Sequence, residues 1–260
     1  MLSKVFAVAV FILVIVAAPV WRAAAGPEFV TEGLVSFWTF DKSDIEGDTV
    51  KDVWGENHGT MQGDPEIVEG KIEEGLQLDG EDDFVLLPDM GFLSQVTVEI
   101  WAKVEDLSVS TLHPLFSQEK WEPGTPHFKI RQATRDVKMQ INDGPPELLA
   151  PIADLEGVWH HYLYTYDEDT IEANLYVDGE LQDTQTGSTP HPADLTTPRI
   201  GNEYEPARMF CGVLDEVRVY DRVLSDDEIK ANFGVKLNQT AVNPAGKLPL
   251  LWGKIKAAER

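Results

Sequence analysis

Residues 96–104, VTVEIWAKV, alternate without a break. Val96, Val98, Ile100, Ala102 and Val104 take one face of an extended chain, and Thr97, Glu99, Trp101 and Lys103 take the other. A period of two buries one face only as a strand in a sheet. The same period returns in WHHYLYTYD (159–167), which sets Tyr162, Tyr164 and Tyr166 on one side. After a short break it continues in IEANLYVDGEL, where Ile171, Ala173, Leu175 and Val177 alternate with Glu172, Asn174, Tyr176 and Asp178. Asp178-Gly179 lies between extended residues and predicts a hairpin, because glycine readily takes the positive φ of two-residue turns. Three consecutive antiparallel strands follow.

Shorter strand candidates are LVSFWTF (34–40), GLQL (75–78), FVLL (84–87), HPLFSQ (113–118), HFKIRQ (127–132), DVKMQIN (136–142), PRIGN (198–202) and CGVLDEVRVY (211–220). Clusters of Gly, Pro, Asp and Asn separate them, the pattern of an all-β sandwich in one domain from about Pro27 to Gly234. One short helix closes it: in VLSDDEIKANFG, Ser225 caps, Glu228 completes a capping box, Asp226 and Asp227 suit the positive end of the helix dipole, and Gly234 ends the helix.

The two ends differ from this body. Residues 1–25 have Lys4, the apolar run FAVAVFILVIVAAPV and small residues Ala23, Ala24 and Ala25 before Gly26, the pattern of an export signal. Retention as an anchor is the alternative, the apolar run being near the lower limit of a spanning helix. Residues 235–260 form a basic tail or linker, with Lys236, Lys247, Lys254, Lys256 and Arg260 against Glu259 alone, and an Asn238-Gln239-Thr240 sequon.

Net charge is −24, and removal of residues 1–25, with Lys4 and Arg22 and no acid, takes it to −26. Such a surface repels phosphate backbones and anionic lipid, which argues against nucleic-acid and membrane partners and favours cations. Cys211 is the only cysteine, so no internal disulfide exists, and a mid-strand thiol is usually inert packing.

The acids are unevenly spread. LDGEDDFVLLP (78–88) crowds Asp79, Glu81, Asp82 and Asp83 between two strands. In GVLDEVRVY, strict alternation puts Asp215 in the row of Val213, Val217 and Val219, with Glu216 and Arg218 opposite. Asp41 likewise follows Val35, Phe37 and Thr39. A carboxylate in an apolar row needs a partner. Three oxygen-rich points without His or Cys suit Ca2+, with backbone carbonyls completing its shell. In the alternative, Asp79 and Asp82 shape a turn through Asx bonds and Asp215 pairs with backbone amides.

Read in order, GLVSFWTFD, NHGT (57–60), GLQLDGEDDFVLLP, VTVEIWAKV, LFS (115–117), WHHYLYTYD, LYVDGE, IGN and GVLDEVRVYDRVLSDDEI resemble the laminin-G-like, concanavalin A-like jelly-roll domains of exported bacterial proteins. That resemblance implies two antiparallel sheets packed face to face. It also implies a structural calcium near the ends of the first and last strands and the acidic turn, carried over to Asp41, the Gly80 carbonyl and Asp215, with Asp82 as a neighbour. Cys211 and the insert EKWEPGTPHF depart from the pattern.

Jelly-roll sandwiches host lectins, adhesion domains and glycosidases, so the fold leaves the class open. A glycosidase needs two carboxylates on one face, and strict alternation gives Glu99 only Thr97 and Trp101 as neighbours and sends Asp215 and Glu216 to opposite faces. His160 and His161, adjacent on a strand, also diverge. A non-catalytic, secreted binding module is expected, its partner a polysaccharide, a glycoprotein glycan or another extracellular protein. Trp121, in the loop SQEKWEPGTPHF, is the candidate sugar platform, with His127 and Arg131 nearby. The alternative makes Trp121 a loop anchor and the domain a protein-binding one.

Overall fold

The computed structural model describes residues 29–235 apart from Pro206. The expected export signal and nearly all of the basic tail, sequon included, lie outside them.

Two antiparallel sheets face each other. The back sheet runs β16 (Glu180–Thr186), β15 (Glu172–Val177), β14 (Trp159–Asp167), β9 (Gln95–Val104), β19 (Cys211–Tyr220), β6 (Glu74–Asp79) and β5 (Glu66–Glu69), with β1 (Leu34–Trp38) also on β19. The front sheet runs β13 (Leu148–Pro151), β12 (Asp136–Ile141), β11 (Pro126–Arg131), β10 (Leu112–Gln118), β18 (Pro198–Ile200), β7 (Phe84–Leu86), β4 (Gly59–Gln62), β3 (Thr49–Val50) and β2 (Ile45–Glu46). A small ladder joins β8 (Phe92–Leu93) to β17 (Ala193–Asp194). The one α-helix among the described residues is α1 (Asp226–Phe233), where Glu228 accepts from the Ser225 N–H at 2.9 Å as the capping box requires.

The alternating rows seen in the sequence form the core. Val96, Val98, Ile100, Ala102 and Val104 of β9 and Tyr162, Tyr164 and Tyr166 of β14 meet Phe116, Phe128, Ile130, Val137 and Met139 of the front sheet. Phe128 stands edge-on to Tyr164, centroids 5.2 Å apart, so the tyrosine row is inter-sheet packing and lines no groove. Ile171 falls outside the alternation: at φ 54° it belongs to the turn before β15.

The strict alternation expected of β19 is broken. One edge of β19 pairs with β6 along Cys211–Leu214, then with β1 along Val217–Tyr220. Between these partners a bulge shifts the register on β9 from Asp215↔Trp101 to Arg218↔Glu99, with Glu216 at φ 53°. Leu214, Val217 and Val219 therefore enter the core, and Asp215 leaves the row assigned to it, opposite Trp101 on the outer face. Glu216 stays beside Arg218 as alternation placed it, but the extra residue puts both on the outer face with Asp215, where strict alternation had separated the two acids.

A second, smaller core covers the outer face of the back sheet. Leu34, Phe37, Leu163, Tyr176, Tyr220, Leu224 and Ile229 pack there with Phe29 and Val30. Beside it the buried Glu99 accepts from Arg218 at 2.9 Å and from Asn232 of α1 at 3.0 and 3.1 Å, and His161 Nε2 lies 3.4 Å away. Asn232 in turn accepts from the Val30 N–H at 2.8 Å, tying the N-terminal segment to the helix. Burial pushes the Glu99 carboxyl up, but His161 and Arg218 outweigh it and hold it at about 2.

Because that value lies below an unfolded Glu at about 4.3, Glu99 contributes stability that is fully present above that pH and lost as pH falls through about 2. Glu99→Gln is expected to lower unfolding free energy in urea at pH 7 by about 3 kcal/mol, through loss of one of the two carboxylates that buried Arg218 pairs with, Glu216 being the other, and to flatten the acid limb of the stability curve. A wild-type acid limb in Glu99→Gln would contradict the assignment.

Candidate binding site

Among the described residues no α-helix lies over the outer face of the front sheet. On β11, Phe128 and Ile130 point into the core, so His127, Lys129 and Arg131 point out. Their partners across β12 are Gln140, Lys138 and Asp136. The loop between β10 and β11 lays Trp121 over His127, centroids 4.5 Å apart and 25° from parallel. The loop is held firmly: Thr125 donates to the Glu122 carbonyl at 2.6 Å, the Gly124 N–H to the Asn142 carbonyl at 2.8 Å, and Lys120 pairs with Asp194 at 2.8 Å. Gly124 sits at φ +84°, and a Cβ there would lie 2.4 Å from the Pro192 carbonyl, so only glycine closes this turn.

The loop between β18 and β19 supplies the rest. Tyr204 lies 5.3 Å from Trp121 and 5.6 Å from His127, edge-on to the latter. Glu203, fully buried, accepts from Lys129 and, at 2.7 Å, from Arg208, whose Nη1 also donates to the Tyr204 hydroxyl at 3.0 Å. Trp121 keeps 47% of its surface exposed above these buried charges. Burial raises the Glu203 carboxyl, but His127, Lys129 and Arg208 prevail and hold it at about 2. Burial lowers both His127 and Lys129, which leaves the imidazole neutral. His127 Nδ1, 3.6 Å from Glu203, and Gln140 Oε1 are buried without a hydrogen-bond partner. An aromatic plate, a positive network and orphaned polar atoms thus share one open face.

Of the three ligand residues expected from sequence, Trp121 and His127 meet. Arg131 forms a two-pronged pair with Asp136, at 2.7 and 2.6 Å, two residues beyond Lys129. Lys129 was legible, being on the same face of the strand as His127. Glu203, Tyr204 and Arg208 come from a loop with no periodicity to mark them.

The expected calcium set is divided. Asp215 Oδ2 accepts from the N–H groups of Lys71 and Ile72 at 2.8 and 2.9 Å, and its Oδ1 is buried without a partner. Burial, then Glu216 and Asp41, push its carboxyl well up. Asp41 accepts from the Glu74 N–H at 3.1 Å in the same turn region, and burial together with Glu73, Glu216 and Asp44 raises it to about 7. Gly80 and Asp82 are elsewhere. Their turn follows Asp79, which pairs with Cys211, four residues before Asp215 on β19 and so roughly 13 Å along the strand. There Asp79, Asp82 and Asp83 bring carboxylate oxygens within 4.8 Å of one another, a grouping able to hold a metal. Asp83 also accepts from the N–H groups of Asp64 and Asp79, and Asp79 from Glu81, as in a turn shaped by Asx bonds. The histidines diverge as expected: His160 meets Asp178 at 2.8 Å, and His161 faces Glu99.

Residues 79–230, more than half of the chain, match the concanavalin A-like lectin/glucanase superfamily in its laminin-G branch. The chain belongs to that family. Its laminin-G-like domain is 25% identical over 166 residues to mouse (Mus musculus) pentraxin-related protein PTX3, covering 59% of this chain and 41% of that protein. It is 29% identical over 85 residues to the rat (Rattus norvegicus) sushi, von Willebrand factor type A, EGF and pentraxin domain-containing protein 1, covering 29% of this chain and 2% of that one. The chain therefore spans less than half the length of these curated relatives. Domain 4 of the arabinanase AbnA from Geobacillus stearothermophilus, solved with arabinotriose, superposes with a TM-score of 0.56 at 19% identity, over 76% of this chain and 96% of that domain. A Trypanosoma rangeli sialidase superposes at 0.61 and 19%, over 85% of this chain and 35% of that one. These two likenesses establish the fold. Among the described residues no helix is long and apolar enough to cross a membrane.

The Lys129–Glu203 pair yields a stability test. Glu203→Ala strands the buried lysine and is expected to lower unfolding free energy by about 3 kcal/mol, whereas Glu203→Ala with Lys129→Met recovers most of the loss. Equal destabilisation in urea melts of the single and double variants would show that the charges do not interact.

Proposed function

We propose that the protein is an exported, non-catalytic carbohydrate-binding module whose sugar-binding face is Trp121 with Tyr204, His127, Lys129 and Arg208. The half-exposed Trp121 ring, stacked on His127 and fixed by a braced loop, carries this reading. A rigid aromatic plate with polar groups beside it suits a pyranose, which offers an apolar face and a hydroxyl rim. The arabinotriose held by the AbnA domain lends fold-level support. Arg131, tied to Asp136, adds charge at the margin and no direct contact.

Binding is favoured over hydrolysis by the state of the acids. Glu203 is held ionised among cations, so it is a poor proton donor to a leaving sugar. Glu99 and Glu216, the acids that pair with Arg218, are fully or nearly buried, with the Arg218 guanidinium over the rings of Phe29 and Phe37. A protein-binding domain is the second reading. On a glycan array the wild-type protein is expected to give signal that Trp121→Ala removes with the thermal melt unchanged. Silence across a broad array would favour the protein-binding reading, and release of reducing ends from polysaccharide would favour the hydrolase.

A structural calcium is also proposed, at Asp41 and Asp215, where a buried orphan oxygen and two carboxyls raised by burial and by neighbouring acids fit a divalent ion. The turn at Gly70–Glu74 supplies carbonyls nearby, and the ion would neutralise the acids and fasten β1 and β19 to that turn. Gly80 and Asp82, with Asp79 and Asp83, would serve only a separate, weaker site. Calcium is expected to raise the melting temperature by several degrees, EDTA to reverse the rise, and Asp215→Asn to abolish the response. An EDTA-insensitive melt of calcium-treated protein would remove the ion from the account.

A further inference from the structure

We propose that the glycan recognised at Trp121 carries a single oxyanion, as a terminal acidic sugar does, and that Arg208 is the residue that selects it. The proposal rests on the carbohydrate reading of this face and adds the charge of its ligand.

The charges beneath Trp121 are unevenly shared. Lys129 and Arg208 bond one carboxylate, Glu203. Around them Lys138 pairs with Glu147, Arg131 with Asp136, and Lys120 with both Asp194 and Glu122, so the face as a whole is close to balanced. The group of Lys129, Arg208 and Glu203 alone carries one positive charge in excess, on a chain whose net charge is −24. That surplus lies where Trp121 keeps its ring open.

Arg208 can use that surplus. Its side chain is 29% exposed, and both of its hydrogen bonds leave from Nη1, to Glu203 and to the Tyr204 hydroxyl. Nη2 and Nε are left to meet an oxyanion in the planar, two-pronged geometry that guanidinium favours. The group is held in place by its stack over the Tyr204 ring, 5.3 Å from the centroid, so little side-chain freedom is lost on binding. Lys129 contributes through its field, its Nζ being 5.6 Å from the Trp121 centroid and buried. The unpartnered His127 Nδ1 and Gln140 Oε1 in the same floor point to a polar group arriving from outside.

The global charge limits the ligand further. A long polyanion placing one acid on Arg208 would lay its others along a strongly acidic body, and like charges repel over about a Debye length. One acidic group at the end of a neutral glycan avoids this.

The test is calorimetric, on the full chain, with oligosaccharides ending in glucuronate or N-acetylneuraminate, the methyl esters of the same sugars, and a heparin hexasaccharide. The acids are expected to bind at least about tenfold more tightly than their esters, as one charge-assisted hydrogen bond implies, with the gap narrowing as salt is raised. Arg208→Gln should close the acid-to-ester gap to within about twofold, Arg208→Lys should keep part of it, and Trp121→Ala should remove acid and ester binding alike. Equal binding of acid and ester would overturn the anion preference and leave a neutral-sugar module standing. A gap that survives Arg208→Gln would overturn the role of Arg208, and heparin binding best would overturn the single-charge limit. If neither acid nor ester binds, the carbohydrate reading falls with the proposal.

Discussion

The bulge in β19 is the constraint on which the rest of the architecture turns. That strand is the centre of the back sheet, with β9 on one edge and two different strands, β6 and then β1, sharing the other. No regular strand passes between two such partners without a gap, and the chain fills the gap with Asp215 and Glu216. From there the consequences spread in two directions. Towards β6, the Asp215 carboxylate replaces a strand partner by taking two N–H groups of the turn at Lys71 and Ile72. Towards β1, the extra residue turns Arg218 outward onto Glu99, and the pair becomes the anchor for Asn232 of the helix and, through it, for Val30.

That anchoring decides which face remains for a partner. A β-sandwich has two outer faces, and here the back one is roofed by α1 and the N-terminal segment over a buried apolar cluster. Among the described residues the front sheet has no such roof. Its outward residues on β11 and β12 are polar, and the two loops above them contribute Trp121 and Tyr204 rather than a covering helix. The covered face carries Arg218 between two acids, Glu99 and Glu216, and the open one a pair of cations sharing a single acid. Buried charge is thus used for fastening on one side and for presentation on the other.

Much of the fold was legible because its signal is local. Val96 to Val104 and Tyr162 to Tyr166 follow a period of two imposed by the pleat, and the Ser225–Glu228 box lies within one helical turn. What failed was the assumption that the period persists. A bulge has no side-chain signature in LDEVRV, since it comes from the change of partner on a distant strand, and so Asp215 was given the wrong face and was separated from Glu216, although Glu216 was rightly set beside Arg218. The binding face was half legible for the same reason. Trp121 and His127 lie six residues apart around a Pro- and Gly-rich loop, whereas Glu203 and Arg208 reach them only through the pairing of β10 with β18. Long-range register is what the letters do not carry.

The layout of the open face also bears on how it would act. Glu203 is buried and held ionised, so its oxygens are fixed as acceptors for Lys129 and Arg208 and are not free to move a proton. Trp121 cannot swing away, since its loop is closed at Gly124, bonded through Thr125 and backed by the His127 ring. A site with its donors set, its aromatic plate clamped and its one acid neutralised from below has little left to reorganise when a ligand arrives. Such preorganisation lowers the entropic cost of holding a ligand. On the proposed reading, the rigidity of this face is what lets it hold a ligand without refolding around it.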